Sequence, residues 1–220
     1  TTASYTLSLH DALPISITQG VIWKQLLLFF FPILIGTFFQ QLYNTVDSVI
    51  VGQFVGKEAL ASVGGSSAQI VTLVVGFFTG LSSGAAVTIA QFFGAQDEKS
   101  ANQGLHNAYA LSLAAGVILT AIGIVLTPSM LRLMNTPEDI LSDSIIYLSI
   151  YFAGIIFVLI YNMGSAILRA TGDSKRPLYY LIVCCGINIV LDILFVVGFQ
   201  MGVTGAASAT LIAQAASAFL

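Results

Sequence analysis

Two acidic residues stand inside long apolar runs: Asp47 in KQLLLFFFPILIGTFFQQLYNTVDSVIVG (24–52) and Asp192 in LYYLIVCCGINIVLDILFVVG (178–198). The other acids, Asp11, Glu58, Asp97, Glu98, Glu138, Asp139, Asp143 and Asp173, fall near the start of the chain, in polar punctuation or at the ends of apolar runs. An aspartate in a membrane-spanning helix costs about 2.5 to 3.5 kcal/mol on insertion scales, so it is turned to a protein interior or an aqueous cavity. Burial disfavours the charged carboxylate, and a second carboxylate beside it disfavours double ionisation, so such a pair takes up a proton or a small cation. Asn188 lies one helical turn before Asp192, on the same face. Counted from the ends of their runs, Thr210 and Tyr147 reach a similar depth, while Asn162 sits deeper on the helix of Tyr147. These residues, Asp47, Asn188, Asp192, Thr210, Tyr147 and Asn162, form the candidate cation or proton site. Asp47, Asn188, Asp192 and Thr210 offer only oxygen ligands, which suits a hard ion; by analogy with the divalent ions this extends to Na⁺. A packing-only reading, in which one protonated Asp hydrogen-bonds the other across two helices, uses the same residues.

The elements that must hold them follow from composition. Of 220 residues 57% are hydrophobic and 8% charged, against about 25% charged in a soluble domain, so the class is an all-α integral membrane protein. Apolar runs long enough to cross roughly 30 Å of hydrocarbon predict six helices over about 23–54, 59–93, 105–126, 140–170, 177–197 and 203–220. Pro32 inside the first removes an amide and predicts a kink, a candidate hinge. Pro128 is expected to close the third helix. Thr136, Pro137 and Glu138 read as a cap, a first-turn proline and an acidic first turn, and Gly172 as a C-terminal stop. Gly64, Gly65, Gly76, Gly80 and Gly84 along the second helix suit close helix contact or bending.

With six crossings, Lys24, Lys99, Arg169, Lys175 and Arg176 share one side and Lys57 and Arg132 the other, which places the N-terminus in the cytoplasm by the positive-inside rule. Gln40, Gln41, Tyr43 and Asn44 on the first helix and Gln69 on the second are substrate-cavity candidates, although such amides also link helices. No His lies at mid-membrane depth. The adjacent Cys184 and Cys185 read as small buried hydrophobes, since a bridge between them would be strained. No nucleic-acid partner and no enzyme chemistry are indicated: no nucleophile with a base and no metal cluster is visible. Residues 1–16, TTASYTLSLHDALPIS, match no signal-peptide pattern, resemble translated sequencing-adapter read-through, and are set apart as a non-native or disordered leader.

Five segments in order resemble the N-terminal half of multidrug and toxic compound extrusion (MATE) transporters. They are FPILIGTFFQQLYNTVDSVIVG, GKEALASVG, GLSSGAAVTIAQFFGAQD, LRATGDSKRP and GVTGAASATLIAQ. The resemblance implies that residues 17–220 form one six-helix lobe of a twelve-helix transporter with the C-terminal lobe absent. It implies a plasma (inner) membrane antiporter exporting small organic, cationic substrates, driven by Na⁺ or H⁺ and using no other cofactor. Asp47, Asn188, Asp192, Thr210, Tyr147 and Asn162 match the family's N-lobe network, and Pro32 its helix 1 proline. Alternating access needs one bundle rocking against another, so the expectation for this chain alone is an ion site without transport. A lipid-linked saccharide flippase of related architecture is the alternative. It calls for a strongly cationic cavity, whereas the six apolar runs carry no Lys or Arg at mid-depth.

Overall fold

Glu138–Ala170 is the axis of the molecule. The computed structural model describes residues 21–220, so the leader expected over 1–16 lies outside the described residues. In chain order the elements are α1 (Ile22–Phe54), α2 (Lys57–Gly64), α3 (Ser66–Gly94), α4 (Glu98–Leu133), α5 (Glu138–Ala170), α6 (Lys175–Asp192), a π-helical segment (Ile193–Gly198) and α7 (Gly202–Phe219). There is no strand among the described residues. α5 packs against α2, α3, α4 and α7. Its inward residues serve three successive core layers. Tyr147 joins Ile50, Val51, Val63, Val196 and Ala206 at one end; Leu148, Phe152, Ile155 and Leu159 pack with Ile70, Leu131 and Leu141 in the middle; Met163 and Ile167 meet Ile89 and Ala108 at the other end. α1 and α6 pair with each other on one side, and α6 also packs along α7.

The outer faces stay apolar: Leu26, Phe30, Leu34, Phe38, Leu73, Phe77, Val117, Val125 and Val190 are all exposed. A surface of this kind is an aggregation liability in water and the normal solvent contact of a protein in lipid. Five helical units, Ile22–Phe54, Lys57–Gly94, Glu98–Leu133, Glu138–Ala170 and Lys175–Gly198, are long and apolar enough to cross a membrane. α7 has 18 residues and is built largely of alanine, serine and threonine, whose small side chains let it lie close to its neighbours. Ala206 and Ala209 within it are fully buried.

Several boundaries differ from the sequence reading, each for a local reason. The helix expected over 59–93 is two, α2 and α3, broken at Gly65, where a Cβ would sit 2.6 Å from the Ala61 carbonyl oxygen. The helix expected over 105–126 runs instead from Glu98 to Leu133. At its start the Asp97 carboxylate accepts the Ser100 amide at 3.0 Å, a helix cap inside a joint whose Glu, Lys and Ala residues are themselves good helix formers. At its end the helix continues through Pro128, because Thr127 and Leu131 are wholly buried and hold the last turns in the core. The Thr127 hydroxyl donates to the Gly123 carbonyl at 2.7 Å beside the proline. α1 likewise continues through Pro32. Gly172 ends α5 with φ 93°, as its glycine suggested.

The hydrogen bond from the Ser100 hydroxyl and amide holds the exposed Asp97 below the ordinary aspartate value of 3.8. A depressed carboxyl stabilises its helix above that ordinary value and loses the effect as pH falls through the lower folded one. Hydrogen exchange of the Ser100 and Ala101 amides is therefore expected to accelerate only below about pH 4, and Asp97→Ala to accelerate it at neutral pH, with the rest of α4 unchanged.

Candidate cation site

α1 buries little of its length: only Asp47, Ile50 and Val51 are buried along it. They form one patch at its C-terminal end, held by α2, α7 and the π-helical segment. Asp47 is thus fixed where the helix is anchored, 8% exposed. α6 presents the face Cys184, Asn188 and Asp192, spaced at i and i+4, with Asn188 and Asp192 both 0% exposed. α7 brings Thr210 and α5 brings Tyr147, both buried. Both cysteines are buried and free.

Asp47 and Asp192 lie side by side, close enough for their carboxyl groups to interact. Asn188 adjoins Asp192, Tyr147 neighbours both acids, and the Tyr43 hydroxyl faces Thr210 next to Asp47. Four elements therefore converge on one point. The polar atoms gathered there are not satisfied by one another. Asp47 Oδ1, both Asp192 carboxyl oxygens, the Asn188 amide oxygen and nitrogen and the Thr210 hydroxyl have no hydrogen-bond partner among the described residues. A buried polar group left without a partner costs about 1 to 3 kcal/mol. A cluster of them is a poor packing device, and its chemistry suits a proton or a cation. Among the described residues no three His, Cys, Asp or Glu side chains converge, so two carboxylates with neutral oxygens are the available ligand set.

Directly after Asp192 the chain widens into π geometry, with Phe199 donating its amide to the Leu194 carbonyl at 2.9 Å. The wider turn drives Val196 into the core beside Val203 and Ala206. Such bulges cluster at functional positions in helices. Nothing in the apolar run ILFVVG signals a change of helical period.

The remaining candidates fall elsewhere. Asn162 does not join the carboxylates: it lies about four turns further along α5 than Tyr147 and lines a separate cleft of about 360 Å³ between α3 and α5, with Thr79, Ser82, Ser83 and Arg169. Sequence depth already put it lower, but not on the α3 side. Asn44 lines an open cleft of about 540 Å³ with Gln41, Thr45, Ser48 and Gln53. The Asn44 side-chain amide donates to Gln41 at 3.4 Å. Gln40 and Gln69 are exposed on α1 and α3, outside that lining. Tyr43 turns inward to the carboxylates rather than into this cleft. Sequence reasoning did not single out Ser82 and Arg169 as site residues; the one available signal was an arginine in the last turn of an apolar run.

Long apolar helices bundled around a buried carboxylate pair define an all-α integral membrane protein. The chain belongs to the MatE family, whose model matches residues 32–194. It is 36% identical over 197 residues to the "Probable multidrug resistance protein YpnP" of Bacillus subtilis, covering 90% of this chain and 44% of that protein. To the "Probable multidrug resistance protein NorM" of Thermotoga maritima it is 31% identical over 179 residues, 80% of this chain and 38% of that one. Its fold is similar to a MOP superfamily transporter from Pyrococcus furiosus, with TM-score 0.81, 32% identity and coverage of 86% of this chain and 41% of that one. An outward-facing multidrug resistance MATE family transporter gives TM-score 0.80 at 32% identity, over 86% of this chain and 42% of that one. The chain thus spans less than half the length of these relatives.

Proposed function

We propose that this chain is the N-terminal lobe of a secondary antiporter that exports small organic, cationic compounds across the plasma membrane. In this reading Na⁺ or H⁺ enters through the Asp47–Asp192 pocket and drives export. The carrying observation is the set of buried, unpartnered oxygens on Asp47, Asp192, Asn188 and Thr210, brought together from α1, α6 and α7. A proton on one carboxyl lets the pair hydrogen-bond; a cation satisfies both carboxylates and the two neutral oxygens at once. Tyr147 and Tyr43 stand beside the pair as neutral hydroxyls able to follow either state. The names of the relatives support drug export, and the Lys and Arg asymmetry supports a cytoplasmic N-terminus. The open amide and hydroxyl cleft of Gln41, Asn44, Thr45 and Ser48 gives a neutral hydrogen-bonding wall for a substrate held between this lobe and the rest of the longer protein, while Gln40 on α1 and Gln69 on α3 are exposed outside it. Pro32 in α1 is the hinge of this reading, and Asn162 borders the opposite opening of the lobe.

²²Na⁺ binding and proton release, measured on wild-type and Asp192→Asn full-length protein, test the site. The wild type is expected to release protons as Na⁺ binds if Na⁺ is the driving ion, and to titrate without Na⁺ dependence if H⁺ is. Asp192→Asn removes either signal. An unaltered signal in the variant would refute the pocket.

A further inference from the structure

The cleft between α3 and α5 holds an arginine that no acid pairs with among the described residues. Arg169 lies in the last turn of α5, half-buried, and forms one wall of the space of about 360 Å³. The nearest acid in the following joint is already engaged. Asp173 accepts the backbone amides of Lys175 and Arg176, each at 3.1 Å, and pairs with the Arg176 guanidinium at 3.1 Å. No ion pair to Arg169 occurs among the described residues. Thr79, Ser82 and Ser83 line the cleft from α3 and Asn162 from α5, all deeper than Arg169, because α3 and α5 run parallel, with Ile70 in the core layer of Leu148 and Ile89 in that of Met163. The Thr79 hydroxyl already donates to the Val75 carbonyl. Ala86, Val87, Ala90, Ala166 and Ala170 complete an apolar lining. α3 and α6 do not touch, which leaves the cleft open along its side.

We propose that this cleft binds an anionic membrane lipid, with Arg169 as the charge partner of its phosphate and Ser82, Ser83 and Asn162, deeper in the cleft, as hydrogen-bond donors to its glycerol ester oxygens. The depth fits: the last turn of a spanning helix is where lipid phosphates lie. Lys175 and Arg176 open the next helix at the same boundary, and basic pockets between membrane helices are recognised lipid headgroup sites. A guanidinium forks onto two phosphate oxygens at once, and the small side chains of Ala86, Ala90, Ala166 and Ala170 leave room for the headgroup beside Arg169. The donor set is one cation with several hydroxyl and amide donors and no carboxylate, the opposite of the Asp47–Asp192 pocket. The two sites are therefore separable.

Native mass spectrometry of the purified chain in detergent tests the site, with phosphatidylglycerol, phosphatidylcholine and inorganic phosphate as probes. One phosphatidylglycerol is expected to be retained about tenfold more tightly than phosphatidylcholine, a difference of about 1.4 kcal/mol. Arg169→Gln is expected to abolish that preference and Arg169→Lys to keep part of it, while Lys175→Gln leaves it in place. Equal retention of the two lipids by the unaltered chain, or an unchanged preference in Arg169→Gln, would overturn the assignment. Displacement of the lipid by inorganic phosphate, which then binds alone, would reassign the cleft to a free anion and overturn the lipid reading.

Discussion

Replacing Asp47 by Asn in the full-length protein is expected to cut ion-driven drug efflux to about a tenth or less, the consequence of losing ~1.4 kcal/mol or more of state-dependent interaction, while leaving expression and membrane insertion intact. Asparagine has the shape of aspartate and keeps a carbonyl oxygen and an amide for its neighbours, so the contacts with Asp192 and the Ile50–Val51 core persist. What disappears is a group that exists in two charge states. If the pair served packing alone, a neutral amide beside Asp192 would do as well or better, because removing a second buried carboxylate relieves desolvation cost. Uptake of a fluorescent cation into inverted vesicles under an imposed ion gradient, the equivalent of export from the cell, separates the two. Loss of coupling with normal protein levels supports the ion site, and wild-type efflux in Asp47→Asn would reduce the pair to an interhelical contact. Asp192, wholly buried and flanked by Asn188, is expected to be at least as sensitive.

The carboxylate pair was legible in the sequence because a charge inside an apolar run is costly and therefore informative, and because counting residues from the ends of apolar runs gives depth. That count brought Asp47, Asp192, Asn188, Thr210 and Tyr147 to one level, and the structure places them together. It failed to say which side of a helix faces which neighbour. Asn162, on the same helix as Tyr147, turns to α3 for that reason, and Tyr43 turns inward although its companions Gln40, Gln41 and Asn44 are exposed. The break at Gly65 and the passage of α4 through Pro128 were hidden for a related cause. Glycine and proline mark where a helix can change, and tertiary packing decides whether it does. The π-helical turn after Asp192 left no trace, since the exposed Ile193 and Leu194 are as apolar as the buried Val196 and the segment carries no readable period.

The glycines give the sharpest instance and the second large effect. The sequence drew attention to Gly76, Gly80 and Gly84 on α3, yet a Cβ on any of them would meet nothing within 4 Å. Close packing is instead carried by α4. A Cβ on Gly123 would overlap the edge of the Phe152 ring, and one on Gly116 would come within 3.0 Å of the Ile156 Cα. Between them, the Thr120 hydroxyl donates to the Phe152 carbonyl at 3.0 Å, a bond between helices that exists only because the backbones approach so closely. Phe152 belongs to the central core layer and cannot swing out without opening it. Gly123→Ala is therefore expected to destabilise the chain by about 1 to 3 kcal/mol, the usual cost of overpacking, and Gly123→Leu to prevent folding. Gly80→Ala is expected to be neutral or stabilising by about 0.5 to 1 kcal/mol, since alanine is the better helix former. Denaturant titration of the three variants in the same detergent gives the comparison. Adding Phe152→Leu to Gly123→Ala is expected to recover part of the loss, because the two positions share one contact and their effects do not add. Equal losses for Gly80→Ala and Gly123→Ala would show that α3, and not the α4–α5 seam, is where this bundle is tightly packed.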